Sequence, residues 1–221
     1  NEVSGIMSGD GGVTKSGDST WKLSGNNTYT GATTISDGTL LVTGTTSGQG
    51  DFGFGTLSAD ATLGGTGTIG LAADKNLTVV GVSDDAKAIV APGASVGTLN
   101  VSTSGTGTTT FGDYSVLSIE LTDDTVDLLS VGALDLSSTL DTLQLTVTGT
   151  QTQMRYVFVQ YTGSLNSETF DLSDFSGLPV GASIDYGTAG EIAVVLIPEP
   201  ATLTLLGLGA CGVLLRRRRN R

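Results

Sequence analysis

The chain has 221 residues, a net charge of −12 and no histidine, and only 14% of it is charged. The missing imidazole excludes Ser-His-Asp and Cys-His catalysis and every His-ligated metal site, while the acidic balance makes nucleic acid a poor partner. With 33 glycines and 38% hydrophobic residues, the chain is too apolar for disorder and lacks the collagen triplet, which points to an all-β protein with many turns.

The charge is unevenly spread. Arg216, Arg217, Arg218, Arg219 and Arg221 hold half of the ten positive charges, so residues 1–197 carry five positive and 21 negative charges, a net −16. The single cysteine, Cys211, forms no disulfide within the chain and no CxxC metal site. The chain opens at Asn1, and 1–20 contains no apolar h-region. It therefore reads as the C-terminal part of a longer or processed protein, with residues 1–19 as an N-terminal fragment or first rung.

Thr20–Gly44 reads TWKLSGNNTYTGATTISDGTLLVTG, with short apolar runs at Trp21 and Leu23, at Ile35, and at Leu40 and Val42. Turn clusters separate them, and each run is too short for a helix. Similar units follow: ATLGGTGTIG (61–70), NLTVVG (76–81), AIVAPGASVGTLNVS (88–102), SVLSIEL (115–121), DLLSVGALDLS (127–137) and DTLQLTV (141–147). With Leu40, Leu63, Leu77, Leu99, Leu117 and Leu134 as anchors, the spacings are 23, 14, 22, 18 and 17. That is a loose repeat of about twenty residues, within the range of coiled β-solenoids. No unit buries its apolar side alone, but stacking would bury a continuous column. An antiparallel β-sandwich made of the same strands is the alternative, and the scarcity of hairpin dipeptides speaks against it.

The segment SGNNTYTGATTISDGTLLVTG (24–44), followed by GGTGTIG and APGASVGTLNV, resembles the autotransporter-associated β-strand repeat. The resemblance covers about residues 20–150 and implies a right-handed parallel β-helix. Beyond 150 the texture changes. MRYVFVQYTG (154–163) reads as a longer strand with Tyr156, Phe158 and Gln160 on one face and Val157, Val159 and Tyr161 on the other. SIDY (183–186), GTAG and EIAVVLI (191–197) read as a hairpin with a four-residue turn. Residues 151–196 are thus expected to form a terminal β-cap over the open end of the solenoid.

The tail is built differently. Ala201–Leu215 is fifteen residues without charge, apolar through Ala201, Leu203, Leu205, Leu206, Leu208, Val213, Leu214 and Leu215. As a single short transmembrane helix it spans about 22 Å, less than the roughly 30 Å hydrocarbon core. Arginine snorkelling and local thinning would supply the difference. Arg216, Arg217, Arg218 and Arg219 stay cytoplasmic, so everything before Pro198 faces outward. Pro198 and Pro200 pin φ, and Pro200 holds Glu199 extended, an accessible strip for a membrane-embedded processing enzyme. Ile197-Pro198-Glu199-Pro200-Ala201, the apolar run and the arginine cluster together resemble the PEP-CTERM sorting signal over 197–221. The resemblance implies recognition by an exosortase, an integral-membrane transpeptidase of Gram-negative bacteria that make exopolysaccharide. Ile197 stands where valine is commoner.

Other residue groups are weaker. Asp123, Asp124 and Asp127 form the densest carboxylate group and Asp84-Asp85 the next. They lack the calcium-loop spacing and read as solvated turn acids. A β-helical lyase would need a basic residue, and outside the tail only Lys15, Lys22, Lys75, Lys87 and Arg155 exist, none grouped with the acids. Asn26, Asn76 and Asn100 open N-x-S/T triplets, which arise by chance in such a composition. Trp21 and Tyr29 fit a rung-closing or core role better than sugar stacking. Cys211 reads as a small apolar helix residue. No catalytic residue, no metal site and no cofactor is expected.

The expected function is a non-enzymatic exported surface or extracellular-matrix protein. An inner-membrane-anchored intermediate faces outward before processing by an exosortase. The alternative is a carbohydrate-binding adhesin associated with exopolysaccharide in a biofilm. Self-translocation would need a C-terminal barrel of amphipathic strands, and arginines stand there instead.

Overall fold

A computed structural model describes residues 1–196 apart from Ala94, Ser164, Asn166 and Ser167, and apart from the side chains of Ser104 and Leu172. The PEP triplet, the apolar run and the arginine cluster lie outside the described residues. Within them every regular element is a strand, and no helix is long and apolar enough to cross a membrane.

The strands form three sheets that the chain visits in rotation. Thr20–Leu23 enters the first sheet, Asn26–Asn27 the second and Thr33–Ile35 the third. The next coil repeats this with Gly38–Val42, Thr45–Gln49 and Phe52–Phe54, and three further coils follow the same path to Ala133–Asp135. Each strand pairs in parallel with its counterparts one coil before and after it. The result is a parallel β-solenoid, and the parallel pairing rules out the antiparallel sandwich.

Register shows how the repeat is built. Trp21, Leu40, Leu63, Val90, Leu117 and Leu143 stand in one row of the first sheet, so successive coils take 19, 23, 27, 27 and 26 residues. Of the anchors chosen from sequence, Leu40, Leu63 and Leu117 share this row. Leu77 and Leu134 belong to the third sheet and Leu99 to the second. The twenty-residue period therefore mixed three faces, and the true coil lengthens along the chain.

The core is the lumen. Alternating strand residues point inward, and five of the six side chains of the Trp21–Leu143 row are buried, with Trp21 half-buried at its end. Backbone approach between coils leaves no room for side chains at the corners. Gly65 sits at φ +110°, and a Cβ there would come within 2.1 Å of the Val42 carbonyl. That is a position only glycine fills.

The last turn departs from the pattern. Arg155–Gln160 pairs in parallel with Leu128–Val131 on one side and antiparallel with Glu191–Val195 on the other. Ser183–Asp185 then pairs antiparallel with Glu191–Val195, across a five-residue connection, Tyr186–Gly190. A register shift between Val157 and Val159 turns both Phe158 and Val159 inward. The strict alternation expected for 154–163 fails there because a bulge adds one residue on the inner face.

Candidate functional site

Several carboxylates that the sequence reading did not single out are struts between coils. Asp51, Asp60, Asp74 and Asp141 each accept the backbone N–H of a residue one coil later: Asn76 (3.0 Å), Lys87 (2.8 Å), Thr106 (2.6 Å) and Asp171 (3.0 Å). A side-chain acceptor at a corner captures a donor that the sheet ladder cannot reach, and a charged acceptor makes the stronger bond. Much of the acidity is therefore structural.

Asp123, Asp124 and Asp127 have three different fates. Asp123, at φ +53°, accepts from Thr150 N–H at 3.0 Å. Asp124 accepts from Thr152 N–H at 2.7 Å and from the Thr152 and Tyr156 hydroxyls, and these donors, the Thr152 hydroxyl first, hold its carboxyl down to about 2. Asp127 is only 2% exposed. Its Oδ1 accepts from Gly97 N–H and its Oδ2 from Glu120 N–H, both at 2.9 Å. Burial pushes its carboxyl up to about 6 against the pull of these two bonds, and the nearby Glu120 charge acts in the same direction as burial. Thus Asp123 is an exposed turn acid and Asp124 a half-buried one, and both are tied to the next coil. No group of three metal-ligating side chains occurs among the described residues. Asp84 does match the expectation: it is 88% exposed, with Lys87 3.9 Å away.

Asp127 lies at the head of a concavity on the outer face of the first sheet, about 270 Å³ in volume. Thr20, Thr39 and Thr62 form an in-register hydroxyl row along it, Leu41 and Ala91 give an apolar floor, and Ser95, Ser118 and Glu120 join Asp127 at the far end. Leu121↔Val126 and Thr122↔Thr125 pair antiparallel in a small hairpin beside it. The backbone at Gly93, at φ +88°, is so tightly enclosed that a Cβ there would meet Ser95 O at 1.8 Å and Asp127 Oδ1 at 2.7 Å. Neither lysine nor arginine lines this groove. Such a surface offers hydroxyl and carboxylate acceptors in a line parallel to the coil axis. A second shallow cavity of about 280 Å³, between Asn100–Thr103 and Ser130–Gly132, carries no charge.

The remaining sequence candidates resolve as follows. Tyr29 is 2% exposed, so it does not stack on sugar. It belongs to a buried polar network: Tyr29 OH meets Thr33 Oγ1 at 2.6 Å, Thr33 Oγ1 reaches Gln49 Oε1 at 3.2 Å, and Gln49 Nε2 donates to Tyr29 O at 3.1 Å. Asn27, also buried, accepts from Met7 N–H and donates to Gly25 O. Asn76 is occupied by Thr108 N–H, and Asn100 sits in a strand between Thr68 and Ser130. Lys15 is fully buried and donates to the carbonyls of Ser16, Gly17 and Asp37, closing one inner column. Nothing in the local sequence signalled that role, because Asp37 lies 22 residues on. Arg155 bridges Glu191 (2.7 Å) and Asp185 (3.2 Å), pinning the last two strands.

Glu191–Val195 is the central strand of that end, with Ile192, Ala193 and Val194 fully buried. Leu196 is buried and donates its N–H to Met154 O at 2.9 Å. Ordered structure therefore reaches to within two residues of Pro198.

Comparison with known proteins places two segments. A passenger-associated-transport-repeat matches residues 13–42, and a PEP-CTERM protein-sorting motif matches residues 196–219. The chain is also 43% identical, over 67 residues, to an adhesin, the BmaC autotransporter of Brucella suis biovar 1 (strain 1330). That alignment covers 30% of this chain and 2% of the relative. The chain carries the sorting motif and the repeat, and together they mark an exported, envelope-associated protein whose motif implies handling by an exosortase. The repeat match is narrower than residues 20–150, and it coincides with the coils that hold the Asn27 and Tyr29 networks.

Proposed function

We propose that this chain is a non-enzymatic surface or matrix protein: a rigid acidic solenoid delivered outward, with a removable C-terminal tail. Residues 20–150 form the scaffold, in the right-handed sense that strand twist favours, and 151–196 close its end. Residues 197–221 are the signal: Pro198, Glu199 and Pro200 are gripped by an exosortase, Ala201–Leu215 crosses the membrane, and Arg216–Arg219 hold the cytoplasmic side. The observation that carries this reading is a folded β body, held as far as Leu196, with a sorting motif matched over 196–219. Protease added to spheroplasts of the native host is expected to digest the body. Survival of the intact chain under that treatment would contradict the topology.

A carbohydrate-binding adhesin is the second reading, supported by the hydroxyl-lined groove ending at Asp127 and by a relative that is an adhesin. The groove suits a neutral glycan strand better than an anionic one, because its only charges are carboxylates. Intact protein passed over immobilised exopolysaccharide from its host is expected to be retarded, and elution with the void volume would remove this reading.

A further inference from the structure

We infer that the C-terminal end of the solenoid is a membrane-facing surface that rests on the lipid headgroups while the tail is inserted. This rests on the reading of Ala201–Leu215 as a membrane helix. Leu196 is held by the fold, and four residues separate it from Ala201. Five extended steps reach at most about 18 Å. The headgroup layer itself takes about 5–8 Å of that, leaving roughly 10 Å between lipid surface and protein. A body this near the bilayer cannot ignore it.

The surface around the exit fits such a neighbour. Leu196 leaves between two segments: Met154 on one side, through the Leu196 N–H bond to Met154 O, and the turn before Ser183 on the other, since Ser183 pairs with Val195. That turn closes with Ala182 N–H on Pro179 O and carries Val180, 94% exposed; Met154 is 50% exposed. Phe175, another exposed large apolar side chain, lies on Leu172–Ser176, the outermost strand of the first sheet at this same end. A chain with a net −16 over residues 1–197 is repelled by anionic lipid, with a screening length of about 8–10 Å. At this exit Arg155 neutralises one of its two partners Asp185 and Glu191, and Asp124 keeps its charge under hydrogen bonds from Thr152, Gln153 and Tyr156, so the exposed apolar side chains carry the contact. The exit thus joins exposed apolar side chains to partnered charges, a surface suited to the interface of a bilayer. The buried strand Glu191–Val195 is not free to be drawn into the enzyme, so the bond that is cut lies beyond it.

The full chain carrying V180C and C211A, labelled at 180 with an environment-sensitive fluorophore, tests this on phosphatidylethanolamine–phosphatidylglycerol vesicles whose acyl chains are brominated near the headgroup. T45C with C211A places the same label on the second sheet near the other end. The chain is expected to float with the vesicles, with the label at 180 losing about half its emission or more and the label at 45 almost none. Flotation without quenching at 180, or with equal quenching at both positions, overturns the proposed surface while leaving the anchor intact. A chain that stays in the aqueous fraction refutes the anchor and the surface with it.

Discussion

The first coils and the last enclose different interiors. Along the second sheet one inner row runs Asn27, Thr46, Ile69, Val101 and Val131, polar at the start and apolar after it. Around the early part lie Tyr29, Thr33 and Gln49, hydrogen-bonded to one another. Near the other end Phe111 and Phe170 meet edge to face at 5.5 Å, and Phe158, Ile192 and Val194 are fully buried. A solenoid lumen accepts polar side chains where their partners come from the same or the adjoining coil. A satisfied network then fixes register, which interchangeable apolar rows do poorly. The repeat match at 13–42 takes in Asn27, Tyr29 and Thr33, while Thr46 and Gln49 lie beyond it. The later coils hold together by volume and area, and their sequences are correspondingly loose.

The sharpest way to separate the two interiors is to remove mass from the apolar one. Phe158→Ala is expected to cost about 3–5 kcal/mol in chemical denaturation, since no neighbouring coil can collapse into the gap. A loss below about 1 kcal/mol would mean that the closing strands contribute little to the body.

Buried carboxylates come next in size. Burial raises Asp127 and Asp141 to about 6, and Asp141 Oδ2 has no hydrogen-bond partner among the described residues. A raised carboxyl binds its proton more tightly when folded. The stability it contributes is therefore complete below the ordinary value of 3.8 and falls as pH rises through about 6, by about 2–3 kcal/mol for each group. Asp124, lowered to about 2, acts in the opposite sense and loses its contribution only as pH falls through that value. Denaturation midpoints should decline between pH 4 and 6, and Asp141→Asn should flatten part of that decline; a flat wild-type profile across this window would contradict the burial of both groups.

In the polar interior, Gln49→Ala leaves the Tyr29 carbonyl unpaired and the Thr33 hydroxyl with Tyr29 OH as its remaining partner, and is expected to cost about 1–3 kcal/mol. Replacing the whole network with Tyr29→Phe, Thr33→Val and Gln49→Leu should be milder than that single truncation. If the triple replacement proves worse, the network contributes net stability as well as register. The smallest effect belongs to Arg155→Met. Its two ion pairs are partly solvated, so about 0.5–1 kcal/mol is expected, with most of it screened by added salt.

The solenoid was legible because Gly-punctuated β-branched runs recur without helical spacing, and Leu40 and Leu63 mark one true row. The coil length was not, because Leu77, Leu99 and Leu134 look the same in sequence while standing on other faces. Connections of unequal length, such as Val80–Lys87, blur the period further. The acids were the hardest to read. Asp123 and Asp124 are neighbours, yet their partners Thr150 and Thr152 lie 27 and 28 residues on, and Asp127 reaches back to Gly97 of an earlier coil. Composition shows charge, but only the stacked coils show which charge is already used. The bulge at Val157–Val159 escaped for the same reason, since alternation is local and the paired strand is not.

Removal of the tail is tested most directly by C-terminal peptide mass spectrometry of the protein recovered from the envelope and medium of its native host. The last peptide is expected to end beyond Val195 and within the first residues of the sorting motif, with Glu191–Val195 retained. A mature pool that ends at Arg221 would contradict it.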